Sequence, residues 1–353
     1  MNIAIVGAGL VGRLLAWRLL EAGHSVSLFD KDSGQAEHSA ARVAAAMLAP
    51  LSEVIDAEPV VYEKGLAGIA VWQDWIPALE KATGIHLDLR TQGSVALAHR
   101  NDSGDYRHFL QRLRQDKTIN QQAVVELSKA ELQAYEPELA VHFDRACFLA
   151  EEGCLDNHNL LKALALRITQ LGGVWHTQSL HTTLDMQMFS AFDHIIDSRG
   201  FGASGDIKGL RGVRGEVIRV HAPEVNISRP VRLMHPRYKL YISPRPNHVY
   251  VIGATQIESE DEGHVTVRSS LELLSALYAV HTGFAEARII EQEARCRPAF
   301  SDNLPQITQQ EKVLEINGLF RHGYLLAPAV IGQALQMLGL DATLVWPEIA
   351  LNK

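Results

Sequence analysis

The chain opens with Asn2-Ile3-Ala4-Ile5-Val6, apolar from Ile3 onward, a run that reads as a buried strand. Leu14, Leu15, Trp17, Leu19 and Leu20 then follow helical spacing, and Gly23 is placed to end that helix. A second apolar strand covers residues 25–29 and runs into Asp30. Residues 58–82 carry a long helical period with Trp72 and Trp75. Residues 87–98 read as one or two strands broken at Gln92-Gly93. Helices follow near 106–115 and 128–134, the second opened by the capping box Ser128-Lys129-Ala130-Glu131. A strand at 146–151, an amphipathic helix at 157–171 closed by Gly172-Gly173, and strands at 174–180 and 192–197 come next.

The following third is β-rich. Residues 216–221, 240–243 and 248–254 read as strands, with Pro244-Arg245-Pro246-Asn247 as the turn between the last two. A helix near 268–281, strands near 288–295 and 313–316, and a helix from about 328 to 338 complete the pattern. This order predicts a mixed α/β (α+β) chain. A Rossmann-like nucleotide domain is interrupted by a substrate domain with a large, mainly antiparallel sheet. The expected division is 1–85, 145–212 and 298–353 for the nucleotide domain, and 86–144 and 213–297 for the substrate domain.

Composition narrows the function classes. The apolar fraction of 47% over 353 residues excludes a disordered or fibrous chain. A net charge of -8 argues against a broad nucleic-acid footprint. The three cysteines, Cys147, Cys154 and Cys296, fit a reducing cytosol and set no disulfide framework. No His or Cys spacing suggests a metal site, the N-terminus lacks signal-peptide character, and no apolar stretch could span a membrane. A cytoplasmic location is expected, and association of identical chains stays open.

The chemistry-bearing motif is Gly7-Ala8-Gly9-Leu10-Val11-Gly12, set between a strand and a helix. Gly7 permits the tight turn, Gly9 lets the backbone approach a pyrophosphate, and Gly12 allows close helix–strand packing. The helix N-terminus offers free N–H groups to phosphate oxygens. Asp30, closing the second strand, can accept hydrogen bonds from a ribose. Two further segments stand out. The small residues of 40–48 would let a backbone lie against a flat ring. At Arg321-His322-Gly323-Tyr324, a glycine turn opening a helix can present N–H groups to a ring's carbonyl oxygens.

Taken with Asp88–Leu97, Arg214-Gly215-Glu216, Tyr241–Arg245, Gly253-Ala254-Thr255, Arg297-Pro298 and Arg321–Pro328, these segments resemble the D-amino-acid oxidase family of FAD-dependent oxidoreductases. The resemblance is closest to its bacterial glycine oxidase branch. It spans nearly the whole chain, in the family's order. It implies a non-covalent FAD contacted by Gly7, Gly9, Leu10, Val11, Gly12, Asp30, Lys31, Ala40, Ala41, Arg42, Ala45, Ala46 and Met47. The same cofactor contacts extend to Leu180, Gly200, Arg297, Leu319, Phe320, Arg321, His322, Gly323, Tyr324 and Leu325. It implies catalytic roles for Tyr241, Arg297 and Arg321, in a substrate pocket shared with Met47, Lys239 and Gln256. Lys239 and Gln256 stand where the resembled enzymes carry a histidine and a methionine. Ala40, Ala41 and Arg42 replace a hydroxyl-bearing stretch, and Arg42 could supply charge instead.

The activity so implied is oxidative deamination of a small amino acid or N-substituted amine. Hydride passes from Cα to flavin N5, the imine is hydrolysed, and O2 becomes hydrogen peroxide. An arginine fork suits a substrate carboxylate, with Arg321 the first expectation because it adjoins the glycine turn, and Arg297 the second. Cys296 should alternate away from Arg297 on a strand, which argues against a covalent flavin. The rival readings are a flavin dehydrogenase using an acceptor other than O2, a non-catalytic FAD-binding protein, and an NAD-dependent dehydrogenase.

Overall fold

The structure, a computed structural model, describes residues 1–235, 240–342 and 344–345. Its first sheet has six strands in the order Gln306–Gln310, Val313–Asn317, His194–Asp197, Asn2–Val6, Ser25–Phe29, Val174–His176. All its pairings are parallel except that of the first two strands. Ile3 and Ile5 point into one core with Leu14, Leu15, Trp72, Leu164 and Val330, from four helices that cover the sheet: Leu10–Glu21, Pro59–Thr83, Asn157–Gln170 and Gly323–Met337.

Helix Gly323–Met337 is buried almost all round. It fits because Pro59–Thr83 offers Gly65 and Gly68 at the crossing. A Cβ on Gly65 would lie 2.7 Å from the Leu325 side chain, and one on Gly68 would lie 2.8 Å from the Leu325 carbonyl. Pro328, inside the helix, has no N–H for the Tyr324 carbonyl one turn back. The Trp72 indole N–H donates to that carbonyl at 2.8 Å instead. Starting at Gly323, this helix begins earlier than the residue 328 expected from the sequence, because a proline in its second turn is compensated by a partner from another helix.

The second sheet has eight strands in the order Arg288–Ala299, Arg211–His221, Val249–Gly253, Leu240–Arg245, Val231–Met234, Ser94–Ala98, Arg145–Leu149, Val124–Ser128. All pairings are antiparallel except Val231–Met234 with Ser94–Ala98. Arg145–Leu149 therefore pairs with this sheet, whereas the sequence division grouped it with the nucleotide side. Pro244 and Arg245 belong to a strand, not to the turn expected there. The reversal comes at Pro246–His248, with Asn247 and His248 at φ 59° and 54°. In the segment 87–98 only Ser94–Ala98 is a strand, with Arg90 bridging to Cys154. Among the described residues no helix is long and apolar enough to cross a membrane.

Candidate active site

Strands Asn2–Val6, Ser25–Phe29 and His194–Asp197 end at Gly7, Asp30 and Ser198, and all three residues line one cavity of about 420 Å³. A cavity at the carboxyl ends of parallel strands is where such sheets bind ligands. Gly7 has φ 98°, and a Cβ there would lie 2.5 Å from the Ser198 carbonyl oxygen. A Cβ on Gly12 would lie 2.0 Å from the Gly7 carbonyl oxygen. Gly9, at the N-cap of Leu10–Glu21, has only the Ser39 hydroxyl close, at 3.2 Å. Packing thus forbids side chains at Gly7 and Gly12, and the turn stays open at Gly9. Asp30 accepts from the backbone N–H groups of Ala8 and Asp32 and faces the cavity. Buried Arg13 ties the turn down, donating to the carbonyls of Ala8, Leu161 and Gly34 at 2.6, 2.8 and 2.8 Å.

The alanine segment forms the short helix Ala40–Val43 and the strand Met47–Leu48. Its carbonyls are held from behind. Ala41 O accepts from Asn157 Nδ2 and the Tyr324 hydroxyl, Arg42 O from Asn157 Nδ2, and Ala45 O from Arg245 Nη2 at 2.7 Å. Small side chains on a fixed backbone make the flat wall expected there.

Of the cofactor positions expected from the sequence, the first cavity collects Gly7, Gly9, Leu10, Val11, Asp30, Lys31, Ala40, Ala41, Gly200, Arg297, Leu319, Phe320, Arg321, Gly323 and Tyr324. Ala45, Ala46, Met47, His322 and Leu325 line an adjoining cavity of about 510 Å³, with Tyr241, Gln256 and Glu53. Three expected residues line neither cavity, Gly12 among them, packed against the Gly7 carbonyl behind the turn. Leu180 is 67% exposed and reaches neither cavity. Arg42 turns away to pair with Glu291 at 2.6 Å and Glu293 at 3.6 Å. Lys239 lies outside the described residues.

Arg297, Arg321 and Tyr324 border both cavities. The two arginines differ. Arg321 donates to Glu53 Oε2 through Nε at 2.8 Å and Nη2 at 2.5 Å, and to Gln256 Oε1 at 3.1 Å; Asp56 lies 3.5 Å away. Burial would lower its pKa, but the Glu53 charge raises it above the ordinary arginine value. Glu53 is conversely held below the usual carboxylate range by Arg321, against burial, which alone would raise it. The fork that the sequence offered to a ligand is therefore occupied.

Arg297 has no carboxylate within ion-pair distance among the described residues; its Nη1 donates to the Thr255 carbonyl at 3.0 Å. Burial first, and then the like charge of Arg321, push it down to about 10. Its guanidinium lies over Gly215, where a Cβ would sit 2.2 Å from Nη2. Burial also pushes Tyr241 up to about 12 and His322 down to about 4. Near neutral pH the tyrosine is a hydroxyl donor and the histidine is uncharged.

Sequence reasoning missed Glu53, Asp56, Gly215 and Arg13. A lone acid in the apolar run Met47–Val54 was the available signal for Glu53, because an acid among apolar residues is buried only when paired. Cys296 is buried, and its thiol lies 3.6 Å from Ser259 O and 3.7 Å from Asp261 O. Burial pushes it up to about 11, so it is a thiol and not a nucleophilic thiolate.

A glycine fingerprint at the carboxyl edge of a parallel sheet, opening through a flat-walled cavity onto two half-buried arginines, defines an oxidoreductase that carries a dinucleotide cofactor. The chain belongs to the family described as FAD dependent oxidoreductase, whose pattern matches residues 2–336. It is 38% identical over 340 residues to a Rhizobium etli protein that carries the name thiamine biosynthesis oxidoreductase ThiO, covering 96% of each chain. It is 25% identical to a glycine oxidase of Geobacillus kaustophilus, covering 93% of this chain and 90% of that one. The crystal structure of glycine oxidase from Geobacillus kaustophilus shares the fold, with a TM-score of 0.80, 22% identity and 99% of each chain covered. So does that of iminodiacetate oxidase from Chelativorans sp. BNC1, with a TM-score of 0.79, 21% identity and 97% coverage of each. The cofactor is FAD, and the turn at Gly7–Gly12, the acid Asp30 and the small-residue wall fit it.

Proposed function

We propose that this protein oxidises a small amino acid or an N-substituted amine that bears a carboxylate. The observation that carries this reading is Arg297, a half-buried guanidinium open to both cavities and, among the described residues, without a carboxylate within ion-pair distance. A buried cation left unpaired favours anion binding, because an anion offsets its desolvation. Its planar fork suits a carboxylate, and the neutral Tyr241 hydroxyl in the same cavity can donate to it. Arg297, and not Arg321, is therefore the carboxylate anchor.

Arg321 and Glu53 cancel one another. FAD, held by the residues that line the first cavity, would supply the electron sink for a hydride from Cα, with O2 as the acceptor that gives hydrogen peroxide. The chain contributes orientation and charge. No side chain need act as a strong base once the amine is neutral. We further propose that the cofactor is contacted by the cavity residues named above, Leu180 and Arg42 excepted. The two-domain division then follows the two sheets.

A peroxide-coupled screen of amino acids and N-substituted glycines, with FAD-loaded protein in air, tests the reading. Turnover of a carboxylate-bearing amine with release of peroxide is the expected result. Flavin reduction without peroxide would leave the substrate assignment and replace O2 by another acceptor. No reduction by any amine would end the assignment.

A further inference from the structure

Strand Arg288–Ala299, at the edge of the eight-stranded sheet, carries Glu291, Glu293, Arg295 and Arg297 at alternate positions, hence on one face. The acids are consumed by basic residues: Glu291 by Arg42 at 2.6 Å and Arg219 at 2.9 Å, Glu293 by Arg42 at 3.6 Å. Arg297 faces both cavities. Arg295, next along the same face, lines the FAD cavity and has no carboxylate within ion-pair distance among the described residues, though the Glu293 charge acts on it. Its Nη2 donates to the carbonyl of Glu37 at 2.9 Å, its Nη1 to that of Ala294 at 2.7 Å, and its Nε is buried without a partner.

Glu37 locates this guanidinium along the cavity. Two residues on, the Ser39 hydroxyl sits 3.2 Å from where a Cβ of Gly9 would be, against the turn that a pyrophosphate approaches. The cation expected to replace lost hydroxyls there, Arg42, is turned away. Arg199, which lines the same cavity, is locked by Asp197 and Asp206. We propose that Arg295 is the cation that neutralises the FAD pyrophosphate, reaching it from the opposite sheet. The cofactor then fastens the two sheets together through the phosphate segment as well as the ring. The proposal rests on the FAD assignment.

The test is FAD titration of the apoprotein, read by flavin fluorescence at several ionic strengths. Arg295→Ala is expected to raise Kd roughly 10- to 100-fold, as for loss of a charge-assisted hydrogen bond. It should also flatten the salt dependence of binding. Arg295→Lys should retain most of the affinity, since a phosphate accepts a point charge. Arg295→Gln keeps a donor for the Glu37 carbonyl without the charge, and should bind as poorly as the alanine variant. If Arg295→Gln binds FAD like the native protein, or the salt dependence survives in Arg295→Ala, the residue only ties down a loop and the proposal fails. Native apoprotein that binds no FAD would instead remove the cofactor assignment.

Discussion

Arg321 places two donors, Nε and Nη2, on the single oxygen Oε2 of Glu53, at 2.8 and 2.5 Å. The bond joins the turn before helix Gly323–Met337 to the short helix Pro50–Glu53 across the rim of the substrate cavity. Of the two arginines that border both cavities, it leaves Arg297 as the one without a carboxylate at ion-pair distance among the described residues.

Breaking this pair strands a largely buried charge. Glu53→Gln is expected to cost about 3 kcal/mol, the usual scale for removing one partner of a buried ion pair. The melting midpoint should fall by roughly 4 °C. The double variant Glu53→Gln/Arg321→Gln should recover much of that loss, because no uncompensated charge remains. Thermal melts of the FAD-loaded single and double variants decide it; losses that simply add would show that the two side chains are not coupled.

Arg297→Ala should reduce kcat/KM by roughly 10²- to 10³-fold while the flavin band near about 450 nm survives. Arg297→Lys should recover little, since an ammonium cannot form the planar fork. An amine lacking a carboxylate should be a poor substrate of the native enzyme and nearly indifferent to the change. Steady-state kinetics on such a matched pair of substrates checks this, and equal losses on both would place Arg297 in a structural role.

Glu152 makes stability pH-dependent. It is 1% exposed and accepts from the Ser52 N–H, the Ser52 hydroxyl and the Ser94 hydroxyl. Burial pushes its carboxyl up to about 7, from 4.5 when unfolded. A raised folded value means that the native state prefers the proton. The contribution is complete below pH 4.5 and is lost as pH rises through 7. Its full size is about 3 kcal/mol. Melts of Glu152→Gln between pH 5 and 9 should show a flatter decline than the native protein, and an unchanged profile would assign the decline to other groups.

The local chemistry of this fold was legible in the sequence, and the long-range pairings were not. Gly7, Gly9 and Gly12 could be given separate roles because strand, turn and helix are adjacent in the chain. The expected places of Tyr241, Arg297 and Arg321 rested on family resemblance, and the structure brings all three to one cavity. Arg42 was assigned to phosphate on charge alone, but its partners Glu291 and Glu293 lie far along the chain. The occupancy of Arg321 was hidden for the same reason. Pro328 argued for a later helix start because sequence spacing does not reveal that Trp72 satisfies the carbonyl it frees. Leu180 lies beyond the short strand Val174–His176, and its side chain turns to solvent although the backbone beside it bonds to Asp30, an orientation that sequence spacing does not reveal.

Gly215 offers a test that separates positioning from folding. A Cβ there would lie 2.2 and 2.3 Å from Nη2 and Cζ of Arg297, the far end of a flexible side chain. At Gly7 the obstacle is backbone at 2.5 Å, with φ 98° added. Gly7→Ala must therefore distort the turn, and is expected to yield protein that retains little FAD. Gly215→Ala needs only the guanidinium to shift, so the protein should fold, melt within a few degrees of the native and bind FAD. The displaced fork would no longer meet the carboxylate in register, and a misplacement of about 1 Å at a reacting centre can cost on the order of 100-fold. On the proposed role of Arg297 in orienting the Cα–H, the loss should appear in kcat as well as KM. Rapid-reaction kinetics of flavin reduction under anaerobic conditions reads the step directly. A Gly215→Ala enzyme that reduces its flavin at the native rate would show that Arg297 tolerates displacement, and with it the carboxylate-anchor assignment would fall.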